Sequence, residues 1–345
     1  MSIVYKQLQT IYSKKWRIDC QVISIDQNNL IVALGSNRII HLFQYYKSKL
    51  KEVQTLLGHI DDITTLAFTQ KRSQLISGSK DKQIIVWSLQ LLKQPRIIQK
   101  LREHSEQINS LLLNRKEELI ISSCNKIVFW KQLLNESGNQ QQWVCVYQYA
   151  SEKQIFGLSL NEDEDQVVGC CEDQTIIVMK QENQNYWTIK QKIIIDEWGY
   201  RICFVGKNTF VFQPILEYDL VCLGAKFLHI YSYNQLQNKF LKSGQIQVKG
   251  DCQACFQYFP TVYNSRKRML IHKNGCHLNL IRVQEKTTQI KEEDLELYFK
   301  LVEIMNFGNS EGFGNIIGTL SNDGEILIIW DQNAKEITIN MIIME

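Results

Sequence analysis

The chain has little of what interrupts regular structure. It holds 3 prolines and 17 glycines among 345 residues, too few for a disordered or linker-rich protein. Charge of one sign is also lacking: 39 basic against 36 acidic residues leave a net +3. That balance gives no strong field for nucleic acid or an anionic membrane, so either would need a local patch. No uninterrupted apolar run reaches the length that spans a bilayer, and the start, MSIVYKQLQTIYSKKWRIDC, has no apolar core followed by a small-residue cleavage site. The expectation is a soluble, cytoplasmic protein, with the nucleus as an alternative place, no membrane partner, and nucleic acid disfavoured. Without a secretory signal the sequon Asn135-Glu136-Ser137 is discounted.

Catalytic motifs are missing too. No Gly-x-Ser-x-Gly elbow occurs, and GNSEGFGN at 308–315 lacks the lysine and the following helix of a phosphate-binding loop. These gaps predict no enzyme and no cofactor. The 10 cysteines are scattered, and Cys20, Cys145, Cys203 and Cys222 lie in apolar strand-like runs, where a thiol behaves as a small hydrophobe in a reducing compartment. A chain of this length and 44% hydrophobic content buries enough surface to stand as one domain without staples.

What is present is a repeat. The stretch 57–89, LGHIDDITTLAFTQKRSQLISGSKDKQIIVWSL, contains Gly58-His59, two alternating segments, the tight turn Lys80-Asp81-Lys82 and the apolar strand ending at Trp87. This layout resembles a WD repeat, one four-stranded blade of a β-propeller. A second unit starts at Glu103-His104 and ends at Trp130, and the run EILIIWD ends in Trp330-Asp331. The resemblance is specific over 57–131 and 316–331. Elsewhere short strands with period-two patterning continue it. The prediction is an all-β, closed propeller of WD-repeat type in a single domain. It has seven blades of about 49 residues, near the usual repeat length, at 16–57, 58–101, 102–148, 149–192, 193–240, 241–292 and 293–345, with six or eight as the alternatives. The segment 3–11 is expected as a further strand that completes the last blade, and 286–299 as a connector with a short helix.

By the resemblance, His59, Ser77, Asp81 and Trp87 form a buried hydrogen-bond relay. A hydrolase triad is the competing reading of the same His, Ser and Asp; the tryptophan accounts for the set better. The turn Cys124-Asn125-Lys126 has no Asp, so the second relay is expected to be incomplete. Met179 stands in a tryptophan place, where it fills space without an indole donor.

The resemblance implies a scaffold that binds other proteins of a multiprotein complex where the loops meet the central channel. It points to Asp62, Lys80, Gln107, Gln154, Glu172, Tyr200 and Arg201 as contact residues, with Tyr200 and Arg201 first, as aromatic and arginine side chains dominate interfaces. Trp130-Lys131, Trp143-Val144-Cys145 and Tyr186-Trp187 are also similar to the pattern of the cytosolic iron–sulfur assembly propellers. Readings of other classes are a metal-binding or a nucleic-acid-binding propeller. Cys252, Cys255, His272 and Cys276 have metal-like spacing; the alternative is a strand cysteine and residues that flank a hairpin at Asn274-Gly275, and no metal is the expectation. Ser265-Arg266-Lys267-Arg268 is read as a solvated loop.

Overall fold

The computed structural model describes residues 3–12, 19–47, 49–134, 141–183, 185–218, 221–251, 253–255, 259–285, 297–308 and 316–344. Among these the chain forms strands and no helix, arranged as seven four-stranded antiparallel sheets and one two-stranded hairpin. Each sheet is a blade. From blade seven through blade one to blade six the first strands of successive blades touch one another around the channel, and the fourth strands lie outermost. The middle strands are buried on both faces between neighbouring sheets, which is why QLISGS, LIISS and QVVGCC are near-continuously buried. The outer strand Arg96–Leu101 is mostly exposed.

The core is a ring of apolar clusters, each lying between two successive blades. Trp87 packs with Leu42 between blades one and two, and Phe129 stacks on Trp187 at 4.6 Å between three and four. Trp330 and Phe43 close the seam between seven and one. Among the described residues every one of the seven seams has its own cluster, so the ring is closed by packing on both sides of each blade.

Two backbone signatures repeat in all seven blades although the side chains do not. The turn between first and second strands carries one residue of positive φ: Asn29, Ser73, Glu117, Glu164, Gly206, Arg268 and Gly324. In the outer strand pair the register slips by one residue opposite the same place, at Phe43, Trp87, Trp130, Met179, Tyr231, Ile281 and Asn340. A bulge there adds twist to the outer strand. On the upper face, Ile63, Ile108 and Ile155 each donate their N–H to a carbonyl in the second-to-third turn of the preceding blade, Asn37 at 2.8 Å, Ser79 at 3.1 Å and Cys124 at 2.7 Å.

Closure comes from Ile3–Tyr12, which pairs antiparallel with Glu336–Met344 as the outer strand of blade seven. It covers an edge that would otherwise present unpaired backbone groups.

The blades span 20–57, 63–101, 110–150, 155–194, 201–247, 262–306 and 316–344 plus 3–12, which corrects several expected positions. Leu297–Asn306 belongs to blade six as its fourth strand, paired with His277–Glu285, and does not open blade seven. Residues 239–247 are likewise the outer strand of blade five. Trp330 lies in the second strand of blade seven, Ile326–Asp331; the register puts Asn340 where a repeat tryptophan would stand. Val221–Gly224 forms a two-stranded insertion with Ile215–Tyr218 between the second and third strands of blade five. Apolar alternation is the same in a first strand, a fourth strand and an inserted hairpin, so pattern alone shifts blade boundaries by one strand. The helix expected within 286–299 falls mostly outside the described residues, and its last three residues are strand. At the Asn274-Gly275 hairpin, Asn274 still pairs with His277, so the turn is centred on Gly275 and Cys276.

Candidate functional site

Blade two joins its buried polar groups in one chain of hydrogen bonds. Trp87 Nε1–H donates to Ser77 Oγ at 2.8 Å, Ser77 Oγ lies 2.8 Å from His59 Nε2, and His59 Nδ1 lies 2.8 Å from Asp81 Oδ2. One proton per link satisfies every group: the serine hydroxyl donates to Nε2, Nδ1–H donates to the carboxylate, and the imidazole is neutral. Asp81 is held in place by the N–H groups of Ile60 at 3.1 Å and Gln83 at 3.0 Å. Burial lowers the His59 pKa from its ordinary 6.5, against the opposing pull of Asp81, which favours that neutral form. Ser77 is 0% exposed; no substrate reaches its hydroxyl, and the set acts as a brace.

Blade three repeats the brace with sulfur in place of the carboxylate. Trp130 Nε1–H donates to Ser122 Oγ at 2.9 Å, Ser122 Oγ lies 2.7 Å from His104 Nε2, and His104 Nδ1 lies 3.0 Å from Cys124 Sγ. Cys124 in turn donates to Asn125 Oδ1 at 2.9 Å. The chain that lacks an aspartate is therefore continued by Cys124 and Asn125. With no carboxylate to oppose burial, the His104 pKa falls to about 4. In the other blades the tryptophan place, defined by its partner in the second strand, holds Phe43, Met179, Tyr231, Ile281 and Asn340.

The expected contact residues divide on inspection. Asp62 and Lys80 face solvent as an ion pair at 2.8 Å. Such an exposed pair adds little stability and leaves both charges available to a partner. Gln107 is half-buried. Gln154 accepts from Asn109 Nδ2 at 2.8 Å, and the Gln154 N–H donates to Glu172 Oε2 at 3.3 Å. Tyr200 is half-buried beside Phe156 and Trp198. Arg201 contradicts the expectation: it is 2% exposed, with Nε–H donating to Phe259 O at 2.7 Å and Nη1–H to Cys255 Sγ at 3.2 Å. It starts a strand, so the residue after Tyr200 points the opposite way, into the seam between blades five and six.

The sequence reading missed the companions of Tyr200. Phe156, Trp198 and Tyr200 form a closed aromatic triangle on the upper rim, with ring centroids 5.0–5.2 Å apart. Trp198 Nε1–H donates to Glu217 Oε1 of the inserted hairpin at 2.8 Å, and the Tyr200 hydroxyl lies 3.6 Å from Cys222 Sγ. Burial, then the contact with Cys222, raises the Tyr200 pKa above that of a free phenol. Ile194, at the end of the outer strand of blade four, is 86% exposed. Trp198 and Tyr200 two residues apart before a strand was an available signal; Phe156 had none.

The candidate metal residues are not brought together. His272 is bonded through Nδ1 to Thr261 Oγ1 at 2.8 Å and through Nε2 to Gln213 Oε1, whereas Cys276 donates to Gln253 Oε1 at 2.8 Å. Cys255 belongs to Arg201, and Cys252 lies outside the described residues. Among the described residues no three His, Cys, Asp or Glu side chains gather as a ligand set. On the lower face a pocket at the channel mouth is lined by Arg115, Asn161, Glu162, Glu164, Tyr263 and Ser265 among others.

Seven four-stranded blades, two of them braced by tryptophan–serine–histidine chains, define a closed β-propeller. The family model described as "WD domain, G-beta repeat" matches residues 50–88, so the chain carries a WD repeat within its propeller. It is similar to Polycomb group protein FIE1 of Zea mays, 38% identical over 84 residues, which is 24% of this chain and 16% of that protein. It is also similar to a Periodic tryptophan protein 2 homolog of Schizosaccharomyces pombe, 25% identical over 129 residues, 37% of this chain and 15% of that one. An uncharacterized WD repeat-containing protein of the same yeast is 29% identical over 113 residues, 32% of this chain and 28% of its own length. Each match spans less than a third of the relative.

Proposed function

We propose that the protein is a non-enzymatic scaffold that docks a partner protein of a multiprotein complex on its upper rim, around Phe156, Trp198 and Tyr200. The aromatic triangle carries this reading. Three large rings held half-exposed in fixed geometry offer apolar area at little entropic cost, the character of an interface anchor. Asp62 and Lys80 supply a charged rim on the same face. That WD-repeat propellers in general are protein-binding platforms supports the class; the rim residues support the place. A cytoplasmic or nuclear location belongs to the same proposal and is tested by fractionation.

The test is a pull-down with the tagged full chain at moderate salt, comparing wild type with a Trp198→Ser, Tyr200→Ala double variant and with Arg115→Ala on the lower face. A stable protein set retained by Arg115→Ala and lost by the double variant supports the proposal. Recovery of iron–sulfur assembly proteins in that set would make it the narrower iron–sulfur assembly scaffold. Retention by the double variant, or loss only on the lower face, overturns the location. Nucleic acid recovered instead, with steep loss on raising salt, overturns the class of partner.

A further inference from the structure

The inserted hairpin of blade five folds onto the loop that leads into blade six. A single antiparallel bridge joins Leu223 to Ala254, flanked by the Cys255 N–H donating to Cys222 O at 2.8 Å and the Gly224 N–H donating to Gln253 O at 2.9 Å. This register places Cys222 opposite Cys255. Side chains opposite one another project on the same side with β-carbons about 5 Å apart, a small adjustment from the roughly 3.5–4.5 Å of a disulfide.

The two thiols have different surroundings. Cys222 is half-buried with its sulfur 3.6 Å from the Tyr200 hydroxyl. Cys255 is 0% exposed and receives Arg201 Nη1–H at 3.2 Å. Beside it Lys273, also 0% exposed, has no hydrogen-bond partner for its Nζ. A buried cation needs an opposite charge, and among the described residues no carboxylate pairs with Lys273. Burial alone would raise the pKa of Cys255, but the charges of Arg201 and Lys273 hold it below the ordinary value, and burial brings Lys273 down to about 8.

We propose that Cys222 and Cys255 are a reversible thiol–disulfide pair, in which half-exposed Cys222 meets a low-molecular-weight disulfide and Cys255, activated by Arg201 and Lys273, resolves the adduct. In the first step the Cys222 thiolate attacks the small disulfide RSSR, a Cys222–S–SR bond forms, the RS–SR bond breaks, and RS⁻ leaves. In the second the Cys255 thiolate attacks the Cys222 sulfur, the Cys222–Cys255 bond forms, and a second RS⁻ leaves. The pair is oxidised by two electrons and RSSR is reduced to two thiols. The product ties the hairpin to the blade-six loop and removes the sulfur contact of Tyr200, beside the aromatic triangle.

The experiment uses the purified, reduced full chain and glutathione disulfide, with alkylation of remaining thiols and peptide mass spectrometry. The expected result is a Cys222–Cys255 linked peptide with no lasting glutathione adduct, reversed by a reducing thiol. Cys255→Ser should stop at the Cys222 adduct, Cys222→Ser should leave Cys255 unmodified, and Lys273→Met should slow resolution about ten-fold by weakening the thiolate. Circular dichroism identifies variants that keep the fold. A persistent wild-type adduct, an unmodified Cys222, or a Lys273→Met that retains the fold and resolves at the wild-type rate would each overturn the proposal.

Discussion

At the scale of single residues the protein uses one device with two chemistries. His59 gives its Nδ1–H to a carboxylate and His104 lies against a thiol, while both accept from a serine that a tryptophan also grips. Asp81→Ala would orphan that histidine proton and the N–H of Gln83. The expected loss is about 1–3 kcal/mol, read as a lower urea midpoint at unchanged slope. Cys124→Ala should cost less, because a thiol is the weaker partner. The pH dependence is more specific. The unfolded chain binds a proton on His104 near 6.5, whereas the fold refuses it until about 4. Stability is therefore full above 6.5, falls as pH drops through that window, and levels below it, a change on the order of 3 kcal/mol. Thermal melts between pH 7 and 4 check this; replacing His104 should make the curve shallower, while His229 and His272, whose pKa values burial also lowers, keep part of the slope.

At the scale of elements the closing strand and the lower-face turns link parts of the ring that are distant in the chain. Deleting residues 3–12 would leave Glu336–Met344 as an open edge. The expected result is a lower melting temperature with association seen by light scattering, both reversed by the missing segment added as a peptide. Glu117 is 1% exposed and reaches back to the preceding blade, where its carboxylate accepts the N–H of Lys71 at 2.8 Å and that of Gln70. Glu117→Gln should therefore be milder than Glu117→Ala, for which about 1–3 kcal/mol is expected from two orphaned donors; chemical denaturation separates them. The strand at 336–344 was legible because EITIN alternates and the apolar run MIIM follows it without a turn residue. The join between blades six and seven was not, since KLVEIMNF alternates in the same way whether it is first or fourth in a sheet.

At the scale of the whole molecule each blade is held by two neighbours and has no core of its own. Each apolar cluster draws side chains from two blades, so Trp330→Ala should weaken blades seven and one together. Hydrogen exchange would show protection falling in Ile39–Tyr46 as well as in Ile326–Asp331, and a loss confined to the mutated blade would contradict the shared seam. The rim is also a property of the assembled ring. Phe156 comes from blade four and Trp198 with Tyr200 from the loop into blade five, so their triangle exists only when two blades dock.

The blade unit itself was decided locally. The Gly-His, the serine, the turn aspartate and the tryptophan of 57–89 lie within one blade, and short-range spacing defines such a unit; alternation of period two then implied strands nearly everywhere else. Tertiary structure decided what depends on other blades. The count of seven shows in one positive-φ residue in the first-to-second turn of each blade and one bulge opposite each tryptophan place, backbone features that residues as different as Asn29, Glu117 and Gly324 all satisfy. Arg201 looked like a contact residue because it follows Tyr200, and only the seam between blades five and six turned it inward to Cys255. A residue's role is written in the sequence when its partners are near in the chain, and is settled by the fold when they come from another blade.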